Sequence, residues 1–338
     1  MNSNNSIRIA IDAMGSDLAP QSEIEGIISY IKQEKRSDLE FFLLGDKIVI
    51  EKELLLHDLS NINYKIIHTE DNITMKDDAT AALKIKKKSS IAVGVQMHKD
   101  GEVDAFLSSG NTGAMMSTAT VLLGRVKGVS RPTIGTFFPT KAKTPTLILD
   151  AGANVDCKPK FLYEFAVMGS LYFKEMFGVE KPRVSLLNIG EESSKGNDVV
   201  LQSYKLLDES HLNFIGNVEG RDIFFDKADV IVCDGFTGNI ILKFAESFLG
   251  FFKSTLKDYA SKSLYKKLKL GLFAPTLKDV FKEFDYQEHG GVPLLGVNGV
   301  IIIGHGSSTG KAVRNMIKRS VEIIEKKLNY KIEQALTG

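Results

Sequence analysis

The chain has 338 residues, and 43 Lys and Arg against 42 Asp and Glu leave a formal net charge of +1. That balance argues against a dedicated nucleic-acid coat, which would be basic overall. Hydrophobic residues at 43% and charged residues at 25% suit a globular protein with a sizeable core and exclude a disordered one. The two cysteines, Cys157 and Cys233, cannot make a disulfide framework, and no zinc-type spacing is present. The polar start, Met1 to Ser6, lacks the pattern of a secretory signal, and no apolar stretch approaches the ~18–20 residues of a membrane span. A cytoplasmic protein is expected.

In chain order, Ile7–Asp12 reads as a buried strand, and Pro20 opens a helix to about Gln33. Glu40–Leu44 and Tyr64–His68 read as strands, and Ala79–Lys99 as one long helix. Val103–Leu107 is a strand leading through Ser108–Gly113 into an Ala/Met-rich helix. Thr133–Phe138 and Thr146–Leu149 are strands, Pro159–Phe177 a helix, Val184–Leu187 a strand and Asp198–Asp208 a helix. Asn213–Ile215 and Val230–Cys233 are short strands, and Asn239–Ala260 is helical. Val300–Ile303 is the last strand and Lys311–Asn329 the closing helix. This alternation predicts a mainly parallel sheet covered on both faces. Length alone suggests about two domains, but no low-complexity linker separates them. One intertwined α/β unit over residues 1–338 is expected, with a helical pair projecting at about 245–285.

Four strands end in a small or Gly-rich turn that opens a helix: Ser108–Gly113, Asp150–Asn154, Asp234–Asn239 and Gly304–Gly310. Such turns expose unpaired N–H groups and the positive end of a helix dipole, which suits phosphate or an oxyanion. A tight turn with a helix cap accounts for any one of them; four at strand ends point to an anionic ligand. Known nucleotide loops fail on spacing. In Gly304–Lys311, counting back from Gly310 puts His305 where a Walker loop needs its first glycine, and Ala312 follows the lysine. The third glycine of a dinucleotide loop would fall on Thr309. The loop Asn188–Gly196 pairs carboxylates with Lys195 just after a strand. Asp12 and Asp17 are too few for a metal site; Asp12 is expected to accept N–H bonds in its loop and Asp17 to cap the helix at Pro20. Cys157 is read as a packed free cysteine before a nucleophile. No cofactor or metal is expected.

Taken together, Asp12–Pro20, Ser109–Ala114, Asp150–Asn154, Asn188–Glu192, Asp234–Asn239 and His305–Ser308 resemble the signature blocks of the bacterial acyl-acyl-carrier-protein:phosphate acyltransferases, in the family's order and over nearly the whole chain. One departure is Ser16, where that family usually has a second glycine; a position needing φ > 0 would be strained there. The resemblance implies a Rossmann-like three-layer α/β/α fold related to phosphate acetyltransferases and isopropylmalate-type dehydrogenases, and a homodimer. It implies a reaction in which acyl-carrier-protein thioester and inorganic phosphate give acyl phosphate for phospholipid synthesis, with a membrane-bound glycerol-phosphate acyltransferase downstream.

The chemistry suits these residues. Phosphate is largely dianionic near neutral pH, and a thiol of pKa about 8.5 leaves readily. Positioning and oxyanion stabilisation remain, and no nucleophile elbow of the GxSxG type is present. Direct attack in a ternary complex is expected, without an acyl-enzyme. Asp12, Gly15, Ser109, Gly110, Asn111, Thr112, Gly113, Asn188, Gly190, Glu191, Asp234, Gly235, Gly238, Gly306 and Ser307 are expected to bind substrate and phosphate. Lys195 is expected as the cation and His305 as proton donor or oxyanion partner, with Asn239 beside them as catalytic. An acidic carrier protein should dock on basic surface; Arg125, Lys127 and Arg131, and the run Lys84 to Lys88, are candidates. Leu264–Pro275 mixes lysines with bulky apolar residues around a Gly/Pro break. It reads as the tip of the helical pair, with Leu270, Leu272 and Phe273 entering a bilayer surface or a dimer interface. A short-chain acyl-CoA transferase, a hydroxy-acid dehydrogenase and a non-catalytic membrane scaffold are the competing readings.

Overall fold

The computed structural model describes residues 6–78, 84–142, 144–282, 286–288 and 290–338. Its elements in chain order are β1 (Ile7–Asp12), α1 (Gln21–Glu34), β2 (Leu39–Gly45), α2 (Lys47–Leu54), β3 (Tyr64–His68), α3 (Ser90–Lys99), β4 (Ala105–Ser108), α4 (Thr112–Leu122) and β5 (Thr133–Phe138). There follow β6 (Thr146–Leu149), α5 (Pro159–Phe177), β7 (Val184–Leu187), α6 (Asp198–Asp208), β8 (Phe214–Val218), β9 (Val230–Val232), α7 (Gly235–Ser261) and α8 (Leu264–Lys282). The last are β10 (Val292–Leu295), β11 (Ile301–Ile303), α9 (Gly310–Glu325) and α10 (Leu328–Thr337). The chain divides into two compact units that interleave along the sequence. The first comprises Met1–Gly135, Val167–Lys181 and Tyr286–Gly338, the second Thr136–Ala166 and Pro182–Asp285.

In the first unit the strands run in the order β3-β2-β1-β4-β11-β10 and on to the start of β5, whose residues from Thr136 belong to the second unit. β1 pairs in parallel with β2 and β4, and β4 with β11. Ile9, Ala10, Phe41, Ala105, Phe106, Leu107 and Ile302 are fully buried, as expected of strands covered on both faces. β1 and β4 are pinned at their start by one ion pair: Asp104 accepts from the Arg8 N–H at 2.8 Å and from its guanidinium at 2.9 Å. α1 and α9 cover one face, burying Ile24, Ile27 and Tyr30 on α1 and Val313, Met316, Ile317 and Val321 on α9.

The second unit repeats the plan with β6, β9, β7 and β8 in that order, all parallel. Arg183 plays the part of Arg8: its N–H and guanidinium bind Asp229 at 2.7 and 2.8 Å, and it also reaches Asp226. The core here is Phe138, Ile148, Leu187, Val218, Ile223, Ala228, Ile231 and Cys233, against which Phe224 and, on α7, Ile241 and Ala245 pack.

Most elements lie where the periodicity puts them, and the mainly parallel sheet forms. Five details differ. The single helix expected over Ala79–Lys99 is interrupted: Lys84 and Ile85 are helical, residues 86–89 are not, and Ser89 caps a separate helix from Ser90 by accepting from the Ala92 N–H at 3.3 Å; residues 79–83 lie outside the described residues. α2 went unread, although Asp46 caps it by accepting from Ile48 and Val49. β10 was also missed, since Pro293 sits inside it and proline argues against a strand. It is the antiparallel exception, pairing with β11 and β5. The closing helix breaks at Lys327, whose φ of 52° is left-handed, so two helices replace one. Finally, α8 runs through Gly271 and Pro275, and the reversal from α7 falls at Lys262 and Ser263. Leu270, Leu272 and Phe273 therefore lie within a helix and not at a turn.

Candidate functional site

The loops that carry the expected site residues fall into two groups, one at the carboxyl ends of the strands of each unit. In the first unit, Asp12 closes β1 and is buried. Its carboxylate accepts from Ser108 Oγ at 2.6 Å and from the Met14 N–H at 3.1 Å. Ser108 Oγ in turn accepts from the Gly110 N–H at 3.0 Å. Burial pushes the Asp12 carboxyl up against the opposing effect of its serine hydrogen bonds. Gly15 fits into this knot: a Cβ there would fall 2.7 Å from Asp12 Oδ2 and 2.8 Å from the Gly110 nitrogen. The Asp17 N–H donates to the Gly306 carbonyl at 2.7 Å, which brings the third loop in. Asp17 does not cap α1, which has no side-chain cap.

Ser109 is buried, with its hydroxyl 3.7 Å from Met316 Sδ. Asn111 caps α4 by accepting from the Ala114 N–H at 3.0 Å. Thr112 and Gly113 are the first residues of α4 and reach the surface. His305 is exposed and held by Ser307, whose N–H donates to Nδ1 at 3.1 Å and whose hydroxyl lies 2.8 Å away. Because Nδ1 accepts, a neutral ring carries its proton on Nε2. So hydrogen bonds join Asp12, Ser108 and Gly110, Gly15 packs against them, and Gly306 is tied to Asp17 of the first loop, with Ser109, Asn111, Thr112, Gly113, His305 and Ser307 in the same loops.

Two features of this group escaped sequence reading. Ser308 is buried, and its hydroxyl has no partner among the described residues. Ser16, the departure from the family pattern, is not strained, since it is absent from the residues of positive φ. Its hydroxyl lies 2.7 Å from that of Ser22, which donates to Glu23 at 2.9 Å. Glu23 is 1% exposed; burial, opposed by the two serines, raises its pKa to about 7. The only sequence signal was three polar residues on what reads as a buried helix start.

In the second unit Asp150 closes β6. It accepts from the Ala153 N–H at 3.1 Å, the Asn154 N–H at 2.6 Å and Asn154 Nδ2 at 2.9 Å. The Gly235 N–H then donates to the Asn154 carbonyl at 2.7 Å. Asp234 caps α7, accepting from the Thr237 N–H at 2.8 Å and its hydroxyl at 2.9 Å. Gly238 lies so close to the Asp150 carbonyl that a side chain there would collide with it. Asn239 borders Gly152 in the same knot. Asn188, at the end of β7, folds its own loop by donating to the Lys195 carbonyl at 2.9 Å and accepting from the Ile189 N–H at 2.8 Å. The Lys195 stem lies over Gly190, and its side chain is exposed. Glu191 turns away, pairing with Lys227 at 2.5 Å.

Both cysteines are free. Burial, reinforced by the Asp150 and Asp234 carboxylates, pushes the Cys157 thiol up to about 12, and Cys233 rises well above its usual value for the same reasons. Neither supplies a thiolate near neutral pH. Arg125, Lys127 and Arg131 are all exposed on the loop after α4. In the lysine run, Lys86 is spent on Asp77 and Lys88 on Glu70, each at 2.8 Å. Leu272 and Phe273 are exposed, whereas Leu270 is half-buried. Among the described residues no helix is long and apolar enough to cross a membrane.

Known proteins resemble this chain in sequence and in fold. A model of the family described as "Fatty acid synthesis protein" matches residues 7–331. The phosphate acyltransferase of Dictyoglomus turgidum is 43% identical over 331 residues, 98% of each chain. That of Moorella thermoacetica is 45% identical over 323 residues, 95% of this chain and 94% of the other. Among solved structures, a phosphotransacetylase from Streptococcus pyogenes superposes with a TM-score of 0.60 over 94% of both chains at 16% identity, which establishes a common fold. With the family model matching residues 7–331 and near full-length identity above 40% to these relatives, the chain belongs to the phosphate acyltransferase family.

Proposed function

We propose that this acyltransferase takes a fatty acyl group from acyl-carrier-protein thioester and passes it directly to inorganic phosphate. An oxygen of hydrogen phosphate attacks the thioester carbonyl, and the tetrahedral intermediate expels sulfur. The proton carried by phosphate ends on the departing thiol, so acyl phosphate and free thiol form with no other reactant. Ser109–Gly113 in the first unit and Asp234–Asn239 in the second each present a helix N-terminus of the kind that binds a phosphate or an oxyanion. Lys195 neutralises phosphate charge, and His305, with Nε2 carrying the proton, assists the oxyanion or the leaving group. What supports the direct route is the state of the cysteines: with burial pushing the Cys157 thiol up to about 12 and that of Cys233 well above its usual value, no cysteine thiolate is available to form an acyl-enzyme.

Exposed Arg125, Lys127 and Arg131 offer positive surface for an acidic carrier. We assign the apolar stripe of α7 to the homodimer. Phe236, Ile240, Phe244 and Phe248 recur four apart and are all more than half exposed, a patch too large for bare surface. The lipid-facing role falls to α8, where exposed Leu264, Leu268, Leu272 and Phe273 alternate with Lys266, Lys267 and Lys269 and no acidic residue precedes Asp279, a composition suited to an anionic bilayer. The protein would then act from the cytoplasm at the membrane surface, handing its product to a membrane-bound glycerol-3-phosphate acyltransferase.

The test is donor choice. Thiol release in phosphate buffer is expected to be fast with long-chain acyl carrier protein and slow with acetyl- or butyryl-CoA. Preference for the short CoA esters would replace this reading with a phosphotransacetylase-like one.

A further inference from the structure

Residues 72–78 follow β3 and cross to the start of α4 as a strap. Ile73 is buried and roots it. Asp77 closes its turn, accepting from the Thr74 N–H at 2.6 Å and the Thr74 hydroxyl at 2.9 Å. Lys86 braces it from behind, donating to the Asn72 carbonyl at 2.7 Å and to Asp77 at 2.8 Å. The clip is Asn111. Its Nδ2 donates to the Thr74 carbonyl at 3.1 Å and the Asp77 carbonyl at 3.0 Å, while Oδ1 caps α4. Both amide protons and the cap acceptor are therefore committed. A residue read from sequence as a ligand contact serves here to hold a piece of chain.

What the strap presents is Met75. Its side chain is 51% exposed, yet its Cε lies so near Gly306 that a Cβ on that glycine would fall 2.8 Å away. Gly306 is also held by the Asp17 N–H, and the next residue, Leu18, is 50% exposed. One exposed apolar side chain, that of Met75, thus stands beside Gly306, and a second, Leu18, directly follows the residue whose N–H binds the Gly306 carbonyl, in loops otherwise built largely from Gly, Ser, Asp and Asn. Water-exposed apolar groups at a polar site are accounted for when the substrate is itself part polar and part apolar.

We infer that Met75, on the strap clipped by Asn111, and Leu18 form the surface along which the donor's acyl chain leaves the reacting carbonyl, and that this strap sets acyl-chain preference. This rests on the acyl-transfer reading above. Methionine suits the task, since an unbranched thioether adapts to a flexible chain and demands no hydrogen bond. Asn111 is a positioning residue in this scheme, acting through the strap.

The experiment compares kcat/KM for long-chain and short-chain acyl carrier protein thioesters in wild type, Met75→Ala and Asn111→Asp. Asn111→Asp keeps the capping oxygen and loses both strap donors. In Met75→Ala the long-chain value is expected to fall about tenfold, with the short-chain value within about twofold of wild type and the melting temperature unchanged, because the side chain is exposed. Asn111→Asp is expected to shift the long-to-short ratio in the same direction. A ratio within about twofold of wild type in both variants would overturn the assignment while leaving acyl transfer intact. A wild type that releases thiol from no acyl donor would overturn the transfer reading and this inference with it.

Discussion

Glu23 shows how a single buried group writes itself into stability. Its folded-state pKa is raised, to about 7, from an unfolded value near 4.3. For an acid raised in this way the native state is favoured below the unfolded pKa, and that stability is lost as pH rises through the folded value. Ionising Glu23 by pH 8 then costs the fold about 3 kcal/mol. Glu23→Gln removes the charge and keeps an acceptor for Ser22. Its melting temperature is expected to exceed wild type by roughly 3–6 °C at pH 8, a gap that shrinks as pH falls toward 5. A gap independent of pH would show that Glu23 does not titrate there. At this scale the sequence was a fair guide to residue types and a poor one to their partners. Asp12 accepts from its own loop as its place at a strand end suggested. Asn111 looks like any helix-capping asparagine, and nothing local announces that Thr74 and Asp77 will receive its amide protons. The Ser16–Ser22–Glu23 chain was hidden for a related reason: its members face one another only once α1 has turned back over the first loop.

At the scale of elements, strands and long amphipathic helices were legible because burial imposes their period. Elements whose signal is weak or contradicted were not. α2 carries little amphipathic contrast, and β10 contains a proline. Pro275 and Gly271 predicted a chain break, but α8 absorbs both on a largely exposed helix. There the missing N–H disturbs one backbone bond and solvent can satisfy the freed carbonyl. The two exposed faces of α7 and α8 call for separate tests. Phe244→Glu/Phe248→Glu is expected to convert a dimer to a monomer in sedimentation equilibrium without altering flotation on anionic vesicles. Leu272→Glu/Phe273→Glu is expected to abolish flotation and leave the dimer. If the α7 pair changed only flotation and the α8 pair only assembly, the two assignments would be exchanged; if neither pair changed either property, both would fail.

For the whole molecule, the near-zero net charge is a sum that conceals local placement. Exposed basic residues gather on the loop after α4 and along α8, and acidic residues elsewhere cancel them. We propose that the two interleaved units work as one intertwined domain, because each supplies half of the signature loops and chain segments pass repeatedly between them. The six short blocks that carry the resemblance all sit at strand ends, where a glycine, an aspartate or an asparagine has no substitute of the same shape and hydrogen-bonding capacity. Direct transfer to phosphate leaves a signature in the order of events. Long-chain acyl carrier protein is mixed with a stoichiometric amount of enzyme, without phosphate and then with it, and both free thiol and the intact mass of the protein are followed. Direct transfer predicts no thiol and no mass change until phosphate arrives, then thiol and acyl phosphate in equal amounts. An acyl adduct on Cys157 or any other residue, formed with release of thiol before phosphate is added, would contradict it.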